Sequence, residues 1–502
     1  MKPSYFRSIL LSLILMVLVW TVLQRFVVVA SDHITTKYDL KIESHNLATT
    51  RLIENGIRIY DRSVFEDLPF IITIYNPLYF LVVSALPQHT SNPFFTGRLV
   101  SLVSTSILLG LLFLPGRGRN SMRFWIPPVF AVLWLLSIPI FVESAVYFHP
   151  DMLALVFSAS AVVSIHKSID YHNVLWSSVF AVLAFATKQN FICGFGASFL
   201  FLLFADKRKL LFFSAVSAIL LGTFFLITSQ TMGNEYWFST IGSVLRHPSF
   251  LSLTAQRLYE LFQSPMCVLL VISLVFSVFY LKHELRGVLL ENPYLLYCEF
   301  AALAPLVGLG KIGGEANYFL EFMLASLMWL VFFTRRFLSE FSALRRSVFV
   351  VAFLSAFLID LMVTEPFRYL LLKHPNNQYF QSNFADKLNA EMRSLNPRDN
   401  NFLVLNSHVL SPFLSNPHFN DPYNYWLMWN YGIMNPEPMI HAIERKYFSL
   451  IIYISAQNPC HIPSMDPVPI TPQSAAVLQA VQNNYVPVKG GVVFYFLPAP
   501  SD

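Results

Sequence analysis

The chain has 502 residues, 55% of them hydrophobic and 13% charged, with a formal net charge of +5. A soluble fold of this length carries about a quarter charged residues, so an ordinary soluble enzyme is excluded and a mainly α-helical polytopic membrane protein is expected. The small positive charge is spread through short loops, which argues against a nucleic-acid partner and suits anchoring against membrane lipids.

Residues 1–30 hold an apolar run long enough to span, and no small-x-small cleavage site precedes Ser31, so a retained signal-anchor helix is expected. Further apolar runs lie near 70–87, 99–115, 124–142, 147–165, 173–187, 190–205, 210–229, 266–281, 293–309, 318–334 and 347–363. Cys193, Cys267 and Cys298 fall inside such runs and Cys460 stands alone, so neither a disulfide framework nor a CxxC zinc pattern is present.

The run at 70–87 decides the topology. If it spans, the loops carrying Arg117, Arg119 and Arg123, then Lys207, Arg208 and Lys209, then Arg335, Arg336, Arg345 and Arg346 all face outward, against the positive-inside rule. If it does not, all of them are cytoplasmic. Asn76-Pro77 would also break the backbone ladder in mid-bilayer. We therefore expect about eleven spans and a juxtamembrane or re-entrant helix at 70–87, within a first outer loop at 31–98. The N-terminus is then inside, and the C-terminal region outside. The membrane domain covers 1–365. From 366 to 502 the pattern becomes mixed, with strands expected at 401–407, 448–455 and 491–499 and helices at 435–447 and 474–485. This reads as a small outer-face α/β domain, and no Gly-rich phosphate loop opens its helices.

With this topology the chemistry-bearing residues collect on the outer side. The first loop has Asp39, Glu43, Glu54, Arg58 and Asp61, and the next has Glu143, His149 and Asp151. Lys188 follows, then Glu235, Lys311, Glu315 and Asn317. An ionisable group at the edge of a span is costly unless paired or functional. Asp39 and Glu43 lie one helical turn apart, and a carboxylate there suits a general base for an attacking hydroxyl; the plainer reading is a pair of solvated loop acids. Asp151 follows a proline at the start of a span, where it either complements the helix dipole or serves as a site carboxylate. His149 reads as interfacial, since no second spaced His supports a metal site. Lys188, a cation against the charge bias, needs a partner, for which a phosphate is suited, or snorkels to the headgroups. Lys311 and Arg246 raise the same choice. Gly310, Gly313 and Gly314 precede Asn317 and Tyr318, which can hydrogen-bond sugar hydroxyls or simply connect two helices. Tyr75, Asn76 and Tyr79 are either site lining or aromatic belt.

In order along the chain, "RLIENGIRIY", "TIYNPLYFLVVSAL", "FTGRLVSL", "HPDMLAL", "FATKQN" and "GGEANYFLE" resemble the multispanning GT-C glycosyltransferases that use polyprenyl-phosphate sugars. These include the protein O-mannosyltransferase and aminoarabinose-transferase branches. The resemblance covers residues 8–365 and, loosely, the tail. It implies a sugar transfer with inversion, from a polyprenyl-phosphate-linked donor to a glycan, lipid or protein acceptor. The reaction would take place at the extracytoplasmic face of a bacterial-type cytoplasmic membrane. It also implies a first-loop carboxylate as base, Glu43 by motif position or Asp39 as second choice. By the same resemblance Asp151 matches the second outer acid, Lys188 the Thr-Lys site that meets the carrier phosphate, and Asn317 and Tyr318 the late Asn-Tyr element. Some relatives hold a divalent metal ion near the acids, but no residue pattern here fixes one.

Two other classes compete. A secondary transporter or lipid-carrier flippase would place polar residues near the bilayer midplane, where Glu299, Glu321 and Asp360 are the available material. A non-catalytic envelope scaffold would use the outer domain for docking.

Overall fold

In the computed structural model the described residues are 3–36, 43–89, 92–115, 125–263, 265–284, 292–311, 316–340, 394–395, 401–405, 417–418, 421–454, 471–489 and 493–500. Asp39, Glu315, Asp360, Cys460 and the expected span at 347–363 lie outside them.

The first helix, α1, runs over Pro3–Thr35. The first loop then folds into α2 (Glu43–Glu54), α3 (Arg62–Phe65) and α4 (Leu78–Ser84). Seven residues rise only about 10 Å, so α4 does not cross a bilayer, and the stretch 70–77 before it is irregular backbone. The bundle continues with α5 (Phe95–Leu111), α6 (Ile126–Ser137), α7 (Pro139–Val146), α8 (Asp151–Lys167), α9 (Tyr171–Thr187), α10 (Cys193–Ala205) and α11 (Lys207–Met232). A π-turn at Phe238–Gly242 leads through α12 (Ser243–Arg246) to α13 (Leu251–Gln263), α14 (Pro265–Glu284), α15 (Pro293–Gly308) and α16 (Leu320–Glu340).

The expected span at 124–142 is not one helix. Ile138 is extended and Pro139 opens α7, so the axis turns by 83° between α6 and α7. Proline cannot continue the hydrogen-bond ladder, and it disfavours helical backbone at the residue before it, which accounts for the break.

The helix ends sort into two groups. At one end Arg335 donates to the carbonyls of Phe113 and Pro115, and His166 packs on Tyr294 with ring centroids 4.5 Å apart. Lys167 and the Asp206 cap of α11 belong to the same end. At the other end meet the starts of α5, α8 and α16 and the end of α9. These are the two sets that the charge bias assigns to the inner and outer sides.

The segment Asn317–Arg335 is 83% buried and forms the bundle centre, where Trp329 packs against Phe333. Lys207–Met232 is more apolar, with a mean hydropathy of 2.5 against 1.4, but only 17% buried, exposing Leu211, Ile219, Leu226 and Ile227. An apolar helix that leaves such a surface uncovered is a lipid-facing helix. The chain is therefore an integral membrane protein.

The C-terminal region forms one mixed sheet in the order β2-β1-β3-β5-β4, from β1 (Phe402–Val404), β2 (Pro417–His418), β3 (Leu450–Ile454), β4 (Tyr485–Lys489) and β5 (Val493–Pro498). β1 pairs parallel to β2 and β3, whereas β5 is antiparallel to β3 and β4. Helices α17 (Pro422–Asn430), α18 (Glu437–Glu444) and α19 (Pro472–Asn484) accompany the sheet. Its core does not close on itself: Phe65, Phe70 and Ile72 of the first loop are buried in the same cluster as Tyr425, Trp429, Met439 and Ile451. Each such side chain contributes about 1.5–3 kcal/mol of apolar burial, so loop and domain are held as one body. Tyr425 adds a hydrogen bond from its hydroxyl to the Phe65 carbonyl at 2.7 Å. Burial, and then the nearby Asp421 and Glu66 carboxylates, push that phenol well above its ordinary pKa, so it remains a neutral donor.

Candidate active site

Helix α2 builds the floor of the site through two residues three apart on one face. The buried Glu43 carboxylate accepts the Phe148 N–H at 2.7 Å, and Asn46 Nδ2 donates to the Phe148 carbonyl at 2.7 Å. Both backbone groups of Phe148 are thus fixed just before His149 and Asp151. The same carboxylate accepts Arg98 Nε at 2.8 Å and also Arg98 Nη2, and both side chains are fully buried. Arg98 Nη1 further donates to the carbonyls of His33, at 2.6 Å, and Thr36. Residues 37–42 are not described, but Thr36 and Glu43, which bracket them, are held by one guanidinium.

Glu43 is thus held by a buried guanidinium and a backbone N–H, which ties the first loop to α5 and to the turn before α8.

Opposite this floor, Asp151 opens α8 and Lys188 closes α9. Lys188 Nζ lies 2.8 Å from Asp151 Oδ1, with both side chains almost wholly buried. His149 Nδ1 stands 3.4 Å from Asp151 Oδ2, and Asn317 Nδ2 donates to Oδ1 at 3.4 Å. Lys188 is therefore not a lone cation. Its ammonium also sits 4.8 Å above the centre of the Tyr75 ring, where the quadrupole attracts it. Tyr75 in turn meets His149 and His45 edge-on, at 6.4 Å and 6.0 Å. His45, on α2, pairs through Nδ1 with Asp421 Oδ2 at 3.3 Å, and both side chains are buried. The cluster thus joins the first loop, α8, α9, the turn before α16 and the C-terminal region.

An apolar cavity of about 280 Å³ follows one face of α9. Val179, Val182, Leu183 and Ala186 line it from α9, Pro77 and Leu81 from the loop, and Phe224 and Ile227 from α11.

Of the expected site residues, Tyr75, His149, Asp151, Lys188 and Asn317 come together. Asp39 lies outside the described residues, and Asn76, Tyr79, Tyr318 and Lys311 have other contacts. Asn76 is fully buried, with Nδ2 on the Phe185 carbonyl and Oδ1 accepting from Tyr236 at 2.6 Å, so it staples the loop to α9. Tyr79 donates to the Gly97 carbonyl at 3.0 Å inside the packing. Tyr318 packs beside Gly308, and Lys311 Nζ lies 3.4 Å from the Val244 carbonyl. Burial lowers the pKa of Lys311. Sequence reasoning missed Arg98, His45 and Asp421. Arg98 had a signal, a cation at the mouth of an apolar run. Asp421 had another, an acid directly before Pro422, the pattern of a helix N-cap with proline at N1.

Among the described residues no group of three or more His, Cys, Asp or Glu side chains is arranged to hold a metal ion. The oxygens of Asp151 face Lys188 and His149 instead. Glu321, buried in the bundle, accepts from the hydroxyls of Ser158 and, at 3.3 Å, Tyr297.

No family model matches the chain, and no curated protein matches its sequence. Solved structures do match in fold. The ArnT of Cupriavidus metallidurans bound to undecaprenyl phosphate superposes with a TM-score of 0.55 at 12% identity, covering 95% of this chain and 99% of that one. Its apo state gives 0.52 at 13%, covering 99% and 100%. The archaeal oligosaccharyltransferase AglB of Archaeoglobus fulgidus, in complex with an inhibitory peptide and a dolichol-phosphate, gives 0.54 at 13%, covering 95% of this chain and 74% of that one. The chain has the GT-C fold of these polyprenyl-phosphate glycosyltransferases.

Proposed function

We propose that the chain transfers a sugar from a polyprenyl-phosphate carrier to a hydroxyl of an envelope glycan, lipid or protein, at the extracytoplasmic face of a bacterial-type cytoplasmic membrane. The observation that carries this reading is Lys188, a buried ammonium just past the end of α9, a helix that also lines an apolar cavity through Val179, Val182, Leu183 and Ala186. A cation and an apolar track on one helix suit a phosphate with a long hydrocarbon tail. An ammonium has three N–H donors, of which Asp151 takes one.

The acceptor oxygen forms a bond to the anomeric carbon while the bond from that carbon to the carrier phosphate breaks, which inverts the centre. The carrier phosphate leaves with the electron pair, and Lys188 neutralises the charge that grows on it. The hydroxyl proton passes to a first-loop carboxylate. With Glu43 engaged by Arg98, Asp39 takes that role in this reading. Asp151 holds Lys188 in place, while His149 and Asn317 hold Asp151.

The test is binding of undecaprenyl phosphate to the purified full chain in nanodiscs. The wild type binds, and the paired substitution Asp151→Asn with Lys188→Met, which removes both buried charges together, does not. Equal binding by that variant would overturn the reading. Asp39→Asn is expected to keep carrier binding while abolishing transfer.

A further inference from the structure

The outer domain meets the membrane site at a buried polar contact, Asp421 to His45. Asp421 is the N-cap of α17. Its Oδ1 accepts the Asn424 N–H at 3.2 Å, and its Oδ2 accepts Asn424 Nδ2 at 2.5 Å. Capping alone does not require a charge, because asparagine caps as well as aspartate. Nor does it require a buried histidine from another domain. His45 lies with its ring plane turned 80° from that of Tyr75, and the Lys188 ammonium stands 4.8 Å from the centre of the same Tyr75 ring. The backbone of Tyr75 is fixed separately, since its carbonyl accepts the Tyr60 hydroxyl at 2.7 Å. His45 and His149 both meet the ring edge-on.

We propose that Asp421 is a positioning residue of the membrane site: it orients His45, His45 braces the Tyr75 ring, and the ring sets the height and direction of the Lys188 ammonium. The outer domain is then a working part of the carrier-phosphate site. This rests on reading Lys188 as the contact for that phosphate. The domain is suited to the task because its core is continuous with the first loop through Phe65, Phe70 and Ile72, so Asp421 cannot drift relative to His45.

The experiment measures binding of undecaprenyl phosphate to the full chain in nanodiscs, together with Tm, for the wild type, Asp421→Asn, Tyr75→Leu and the double variant. Asp421→Asn keeps the cap through its one amide oxygen, and it replaces the oxygen that faces His45 and accepts from Asn424 Nδ2 with an NH2 donor. The expected result is a Kd raised about fivefold by Asp421→Asn at a temperature well below its Tm, which falls as a buried contact is lost, and raised about fivefold or more by Tyr75→Leu, the loss of one desolvated cation–ring contact. The double variant binds no more weakly than Tyr75→Leu alone, because both act through the same ring. If Asp421→Asn binds as the wild type does while the Asp151→Asn/Lys188→Met pair does not, the positioning role is overturned and the carrier reading stands. Additive effects of Asp421→Asn and Tyr75→Leu overturn the role whatever they do to Tm. Absence of binding by the wild type overturns both.

Discussion

Replacing Glu43 by glutamine separates anchoring from proton transfer. The carboxylate is fully buried and serves two Arg98 nitrogens and the Phe148 N–H. Removing one charge of a buried pair leaves the other uncompensated, at a cost of about 3–5 kcal/mol. The weakened hold on Phe148 adds to this, because a hydrogen bond to a charged acceptor contributes about 1.5–3 kcal/mol. Glu43→Gln should therefore lower the Tm of the solubilised chain by on the order of 5 °C or more. Arg98→Met alone should do the same. Glu43→Leu combined with Arg98→Met removes both charges and should recover much of the loss, since buried pairs exchange for apolar side chains at little net cost. Thermal unfolding of the three variants in detergent, followed by intrinsic fluorescence, is the assay. A Glu43→Gln chain that melts with the wild type and yet transfers no sugar would refute the anchor and restore Glu43 as base.

Lys188→Met alone should destabilise by about 3–5 kcal/mol, because Asp151 is left charged and buried, and adding Asp151→Asn should reverse most of that; Tm across the cycle measures it. Gly97→Ala would place a methyl within the Phe148 ring and should cost about 1–3 kcal/mol, with carrier binding falling as His149 and Asp151 shift. Phe65→Ala should cost about 3–5 kcal/mol at the joint between loop and outer domain, and limited proteolysis should then cut between them faster than in the wild type.

Apolar periodicity made the helices legible: the run at 210–229 lies inside Lys207–Met232, and three of the five strands fall where buried β-runs were expected. The two others were obscured for physical reasons. β2 is two residues long, and β4 begins at Tyr485, at the end of a helical pattern, with no turn residue between them. The bend at Ile138 was written in Pro139 and could have been read. In the site, Asp151 and Lys188 were legible because ionisable groups at span edges must be compensated, although the sequence did not show that they compensate each other. The pairing of Glu43 was not legible for the same reason: its partner Arg98 lies in another helix, and no local period connects them. The contacts of Asn76 and Tyr79, open in the sequence between site lining and aromatic belt, go to carbonyls and hydroxyls of distant residues, which no local pattern encodes. Asp421 belongs to a region where only the sheet and two helices had been expected, and its role exists only once the domain has docked.

The central claim is tested most directly by mass spectrometry of envelope glycolipids and glycoproteins from a strain lacking this chain, complemented with the wild type or with the Asp151→Asn/Lys188→Met pair. The expected result is a sugar that is missing from one acceptor and returns only with the wild type. An unchanged glycan profile in the deletion strain, under conditions where the wild-type chain is well expressed, would contradict the claim.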